Sequence, residues 1–234
     1  MRIFQTFREM LSEVGRDLVE LGVTIPSDSV QGWEVKGNLG FEMKEITGYA
    51  YRLSHQAVDT PGFKELLTSD EAGWIQDESQ SRVDSEWINP GVAWRWRRSL
   101  WEPMLVNGRF DYTYNERIRT QLPRLVAELS RNPHSRQAVL LIYQEQDQRG
   151  WGGRFRVPCS LSYQFIIRGA AMHLIYSMRS CDYFNHFKFD VILAMCLLWD
   201  VRDRVNKNLQ IGTLTHFIGS LHCFRRDWEK AKIF

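Results

Sequence analysis

No run of apolar residues in this chain is long enough to cross a bilayer, and no internal repeat, low-complexity tract or linker interrupts it. Those absences leave one globular domain over residues 1–234 as the expected organisation, with no membrane span. Charge of one sign is also missing: 30 Lys and Arg stand against 28 Asp and Glu, a formal net charge of +2 spread along the chain. Direct binding of nucleic acid or a membrane surface is therefore not expected, and any bound anion should be small and held locally. Cysteine is scarce, and Cys159, Cys181, Cys196 and Cys223 form no CxxC pair and no zinc-like grouping with the six histidines. Reduced thiols without a metal are expected, one of them able to react. The opening MRIFQTFREMLSEVG breaks every apolar stretch with charge, so no leader is expected and the compartment reads as cytoplasm.

What is present mixes helical and strand periods. Ile3, Phe4, Phe7, Met10, Leu11, Val14, Leu18 and Leu21 recur at helical spacing with Gly22 as a stop, which predicts an amphipathic helix over 3–21. EMKEITGYAYRLS reads as a strand. Residues 55–110 resist assignment, and together with the later loop at Trp151 they hold six of the nine Trp residues. Asn115 to Ser130 reads as one helix with Ile118, Leu122, Leu125, Val126 and Leu129 on one side, Pro123 inside it and Asn132-Pro133 as its stop. AVLLIY reads as a buried strand, and SYQFIIRG with AAMHLIYSM as a hairpin about Gly169. Val191 to Trp199, apolar almost all round, predicts a core helix, and GTLTHFIGSLHCF predicts a last strand before a short basic tail. The expected class is α+β, with a central mixed sheet and flanking helices.

Five places could carry chemistry. Cys159 follows Pro158 at the start of a strand, where a loop can present a thiol at a cleft edge or simply bury a small hydrophobe. Arg179-Ser180-Cys181-Asp182 combines a guanidinium, a hydroxyl and a carboxylate, which suits phosphate capture or a solvated turn with a local ion pair. Arg136, just before the AVLLIY strand, is open to the same two readings. Asp190 begins the apolar helix, as a cap or as a buried hydrogen-bonding group for a ligand. His222 is either a satisfied strand histidine or a functional one.

Taken in order, PCSLSYQF, MRSCDYFNHFKFD and IGTLTHFIGSLHCF resemble the thymidylate synthase family. Its corresponding segments read PCH followed by QF, QRS with Asp and PFN, and a Gly-Asp-x-His-x-Tyr strand. Upstream, RNPHSRQAVLLIY resembles the family's Asn-Pro, Arg-Arg and strand segment, and NGRFDYTYNERI its turn ending in a functional Tyr. The resemblance runs from about Asn107 to Asp227 and implies the thymidylate synthase-like fold in a single domain. Ser160 stands where the family has His after the nucleophile, Met178 where it has Gln, and Asp190 where uracil-specific members have Asn and cytosine-specific ones Asp. These departures resemble the branch that hydroxymethylates deoxycytidylate, with a relative that forms 5-methyl-dCMP or acts on dUMP, or a non-catalytic nucleotide-binding protein, as the alternatives. An amide donates to uracil's carbonyl and accepts from its ring N–H, whereas a carboxyl group accepts from cytosine's amino group and, when protonated, donates to its ring nitrogen.

The resemblance also implies roles. Cys159 would add to carbon 6 of a pyrimidine deoxynucleotide monophosphate, making carbon 5 nucleophilic toward 5,10-methylenetetrahydrofolate, the expected one-carbon donor. Arg179 would lower the thiol pKa and bind phosphate with Ser180. Arg136 would reach across a homodimer with shared active sites, with Gln137 where a second Arg is usual. Tyr114 would relay a proton, His222 would contact the sugar, and Asp182 and Trp101 would contact folate. The family's water-organising Glu, in a Glu-x-x-Trp setting, matches Glu71 before Trp74, with Asp84 before Trp87 as the competing match. His186 replaces a Gly near folate and is expected to alter that pocket, Phe224 replaces a sugar-contacting Tyr, and Lys36 is the candidate N-terminal phosphate ligand. The short stretch after His222, against the family's long closing tail, is expected to favour water over hydride as the last reactant.

Overall fold

The computed structural model describes residues 1–30, 33–59, 62–150 and 156–231; Trp151 lies outside them. Strand β1 (Arg2–Phe4) precedes helix α1 (Phe7–Leu21), and short strands β2 (Val23–Ile25), β3 (Ser29–Val30) and β4 (Trp33–Glu34) lead to the long β5 (Met43–Leu53). The Trp-rich stretch then folds as helices α2 (His55–Asp59), α3 (Ser69–Val83) and α4 (Arg98–Trp101), joined by 3₁₀ turns. Helices α5 (Tyr114–Ile118) and α6 (Leu122–Arg131), strand β6 (Val139–Leu141), and the hairpin β7 (Ser160–Arg168) and β8 (Ala171–Asp182) follow. A π-turn over Tyr183–Phe187 runs into α7 (Lys188–Asn206), β9 (Gln210–Phe224) and α8 (Trp228–Ala231).

Three expectations are corrected by local chemistry. The first helix starts at Phe7, because Thr6 and Glu9 form a reciprocal capping box there, an arrangement that contributes about 1 kcal/mol. Ile3 and Phe4 belong instead to β1, which pairs in parallel with β5. The stretch 115–130 is two helices, with Pro123 in the first turn of α6, where its missing N–H costs nothing. The AVLLIY strand keeps only Val139–Leu141 in the sheet. The hairpin forms as expected: Gly169, at φ 59°, takes the left-handed turn conformation between β7 and β8.

The main sheet runs β1-β5-β9-β8-β7-β6 with β2 also on β5. It is mixed: β8 and β9 are parallel, joined by a crossover through α7, while β5–β9, β7–β8 and β6–β7 are antiparallel. The parallel pair needs that crossover, and the nineteen residues of α7 supply it. One face of the sheet carries the core. A single rung across it reads Leu140, Tyr163, Tyr176, His216 and Tyr51, all fully buried, and α7 packs beneath with Val191, Ile192, Ala194, Met195 and Leu198 shut off from solvent. Each of the larger aliphatic side chains among them contributes about 1.5–3 kcal/mol on burial. The rung on the opposite face reads Leu141, Ser162, Ser177, Phe217 and Ala50, where Leu141 stays 53% and Phe217 45% exposed.

Candidate active site

Strand ends β7, β8 and β9, the π-turn, α3 and the loops around α4 and α5 surround one cleft of about 1630 Å³. A site for one small molecule typically spans ~300–1,000 Å³, so this cleft has room for two ligands side by side. Cys159, Arg179, Ser180, Asp182, Asp190, His222, Tyr114 and Trp101 all line it, as do His186, Phe224 and Lys36. The fold therefore gathers residues drawn from nearly the whole length of the chain.

Cys159 caps the start of β7 with its thiol half-buried at the cleft floor. Arg179, from the neighbouring β8, donates from Nε to Pro158 O (2.9 Å) and from Nη2 to Val157 O (2.9 Å), so it grips the loop that presents the thiol. Its Nη2 lies 3.9 Å and Ser180 Oγ 3.7 Å from Cys159 Sγ, and Arg179 Nη1 donates to Ser180 Oγ at 3.1 Å. Gly219 on β9 lets the β8 backbone at Arg179 lie close, since a Cβ there would stand 2.6 Å from the Arg179 carbonyl oxygen. Burial nevertheless raises the thiol above its ordinary pKa, with Arg179 pulling the other way. The expected lowering is thus outweighed by desolvation.

Asp190 does not cap its helix. Phe187 occupies the cap position of α7 without a side-chain bond, and Asp182 caps the preceding π-turn, its Oδ1 accepting from the Phe184 and Asn185 amides, both at 3.1 Å. Asp182 Oδ2 accepts from Asn185 Nδ2 as well, so this carboxylate holds the turn that carries His186 into the cleft. Asp190 is left facing the cleft with one weak partner, the Cys181 thiol 3.7 Å from Oδ2. Packing on its other sides pushes its pKa up to about 6, against the opposing pull of the Arg82 guanidinium. A carboxyl group with its pKa raised in this way inside a cleft is a candidate ligand-binding group.

Glu71 is not among the residues that line the cleft. It closes the capping box of α3 with Thr68 and pairs with Lys188 Nζ at 3.0 Å. Asp84 lies at the other end of α3 and bonds the Glu86 amide, while Trp87 is exposed. Between them, two turns after Glu71, Glu78 does line the cleft, held by Arg82 Nε at 2.8 Å with both side chains largely buried. The Arg82 guanidinium in turn lies 3.9 Å over the Tyr114 ring. The Thr-x-x-Glu signature at Thr68 is the signal that assigns Glu71 to capping.

Arg97 and Arg156 are further cleft residues that spacing did not suggest. Arg97 lies over Trp74, Trp101 and Phe189 at 4.8, 5.8 and 5.2 Å, and Arg156 over Phe110 and Tyr112 at 5.4 Å each. His186 sits near both, and burial with the Arg97 charge pushes its pKa down to about 4, so it is neutral at pH 7. It adds a side chain to the cleft wall without closing the cleft. Trp101 packs edge-on against Trp74 and Phe110, so that wall is aromatic and apolar. His222 faces Asp182 and Glu45 across its two neighbouring strands and is held neutral by burial. Arg136 is exposed, does not line the cleft of its own chain, and receives a bond from Gln164 Nε2 at its carbonyl. Among the described residues no helix is long and apolar enough to cross a membrane and no cluster of His, Cys, Asp and Glu could hold a metal.

The cleft thus sets a thiol beside an arginine and, among its other lining residues, a carboxyl group whose pKa is raised to about 6, groups of the kind that can bind and act on a small polar molecule. The family model for thymidylate synthase matches residues 72–233, and this chain belongs to that family. Members transfer a one-carbon unit to carbon 5 of a pyrimidine nucleotide and use methylenetetrahydrofolate as co-substrate. The deoxycytidylate 5-hydroxymethyltransferase of Enterobacteria phage T4 is 22% identical over 229 residues, 86% of this chain and 89% of its own. The thymidylate synthase of Symbiobacterium thermophilum is 25% identical over 160 residues, 68% of this chain and 53% of its own. Among solved structures, thermostable thymidylate synthase A of Bacillus subtilis superposes with a TM-score of 0.70 at 16% identity, over 98% of this chain and 83% of that one. The thymidylate synthase of phage T4 gives 0.66 at 16% identity, over 96% and 79%.

Proposed function

We propose that the chain is a deoxycytidylate 5-hydroxymethyltransferase that works as a homodimer. Asp190 carries this reading. Its pKa of about 6 lets the carboxyl group accept from cytosine's amino group and, protonated, donate to the ring nitrogen. Uracil presents a ring N–H and a carbonyl oxygen instead, and the ionised carboxylate has no proton to offer that oxygen.

Arg179 and Ser180 bind the phosphate, with Lys36 reaching in from the N-terminal side. A phosphate there satisfies Arg179, and the Cys159 thiolate beside it adds to carbon 6 of the base. The aromatic wall of Trp74, Trp101 and Phe110 suits the ring system of 5,10-methylenetetrahydrofolate, which when bound supplies the one-carbon unit. Tyr114 lines the cleft to orient the water that takes the proton from carbon 5, and Glu78, steadied by Arg82, organises the water that ends the reaction. Glu78 thereby takes the role that the Glu-x-x-Trp spacing assigns to Glu71. The half-exposed Leu141 and Phe217 on the uncovered sheet face support sheet-to-sheet dimerisation, which lets Arg136 serve the partner's cleft.

Product mass tests the reading. The protein incubated with the folate donor and dCMP or dUMP should yield a hydroxymethyl product from dCMP alone. A methyl product, or turnover of dUMP in preference, would refute it.

A further inference from the structure

Ser160 is fully buried, yet its hydroxyl is the centre of a polar cluster. Its Oγ lies 2.9 Å from Tyr114 Oη, 2.7 Å from Tyr176 Oη and 3.5 Å from Tyr163 Oη. Tyr176 cannot drift: its ring stacks on Tyr163 at 4.4 Å and on His216 at 4.6 Å, with planes within 9° of parallel. His216 is fixed in its turn by Tyr51 Oη, 2.9 Å from Nδ1. Tyr114 comes from the separate helix α5 and reaches the sheet's hydroxyls only through Ser160. Desolvation raises the pKa of Tyr114, Tyr163 and Tyr176 alike, so all three phenols are neutral at pH 7.

We propose that Ser160 is a positioning residue for Tyr114, and that its hydroxyl sets whether the Tyr114 phenol accepts or donates in the cleft. This rests on the functional reading above. In each of the two short bonds either oxygen can be the donor. When Tyr114 donates to Ser160, its lone pairs face the cleft; when Ser160 donates to Tyr114, the phenol hydrogen is free to point there. Turning the hydroxyls about their C–O bonds exchanges the two states with no heavy atom moving and no net proton stored. In the accepting state Tyr114 orients a water whose oxygen takes the carbon 5 proton; in the donating state its hydrogen steadies that water once the proton has passed to the leaving amine or to solvent, so Tyr114 itself stays neutral throughout. An imidazole at this position, as in the family pattern, would have to share two nitrogens among the same phenols.

The test is a double-mutant cycle on tritium release from nucleotide labelled at carbon 5, in the presence of the folate donor. Ser160→Ala should slow release about ten- to a hundredfold with little change in the nucleotide KM, and Ser160→Thr, which keeps the hydroxyl, should restore most of it. In a Tyr114→Phe background Ser160→Ala should cost almost nothing more, because its effect passes through the phenol. Additive losses in the two backgrounds, or a KM effect without a kcat effect, overturn the positioning role while leaving the function intact. No release by the unmodified protein from either dCMP or dUMP overturns the functional reading and the role with it.

Discussion

Replacing Asp190 by Asn changes a titrating carboxyl group for an amide of the same shape. Each swapped hydrogen bond in such a site contributes about 1–3 kcal/mol. Loss on cytosine and gain on uracil add, so about 2 kcal/mol each way moves the dCMP-to-dUMP ratio of kcat/KM by about a thousandfold. The pH dependence gives a second, independent reading. Binding of dCMP to a Cys159→Ala background, which removes the thiol titration, should weaken as pH rises above about 6, where Asp190 loses its proton. Once Asp190→Asn is added to that background, the same binding should be flat with pH. Stability must follow with the matching sign. The folded pKa, about 6, lies above the ordinary value of 3.8, so the folded state holds the proton more tightly. The contribution is fully present below about pH 4 and is lost as pH rises through 6. About two pH units at ~1.36 kcal/mol each leave the ionised form about 3 kcal/mol less stable. Asp190→Asn should therefore be more stable than the unmodified protein at pH 8 and gain little at pH 4, by urea unfolding of the free protein. An unchanged base preference together with pH-independent dCMP binding would refute the assignment of Asp190 to the base.

Glu78→Gln should lower kcat by about a hundredfold or more in steady-state assays. Glu71→Gln, which keeps the capping box and loses only the Lys188 pair, should leave turnover within about threefold and cost at most about 1 kcal/mol of stability; the opposite ranking would return the acid role to Glu71. Phe217→Glu should shift the protein to monomer by sedimentation velocity, with about 1.5–3 kcal/mol lost per copy, and activity should fall with the dimer fraction because Arg136 then serves no cleft. An intact dimer would place the interface elsewhere.

Local chemistry makes much of the frame legible. The β7–β8 hairpin, the core helix α7, the last strand and the nucleophile's setting all rest on short-range signals: a Gly turn, an apolar stretch, a Pro before Cys159. Where two short-range signals overlap, the stronger one governs the structure. Thr68-x-x-Glu71 is a cap, and the Glu-x-x-Trp spacing overlaid on it draws attention from Glu78. Sequence order also suggests Arg179 beside the thiol, but it cannot weigh that charge against burial, which depends on every atom packed around the cleft.

By itself, then, the order of residues determined the hairpin, core helix and last strand, the family, and Cys159, Arg179, Ser180 and Asp190 as candidate chemical groups. Only the tertiary structure decided which groups meet. It set Glu78 rather than Glu71 toward the cleft, turned Asp182 into the cap that frees Asp190, and joined Tyr114 to Ser160 across 46 positions. Those outcomes depend on strand register and helix phase in three dimensions, and desolvation, the largest influence on Cys159, Asp190 and His222, exists only once the chain is packed.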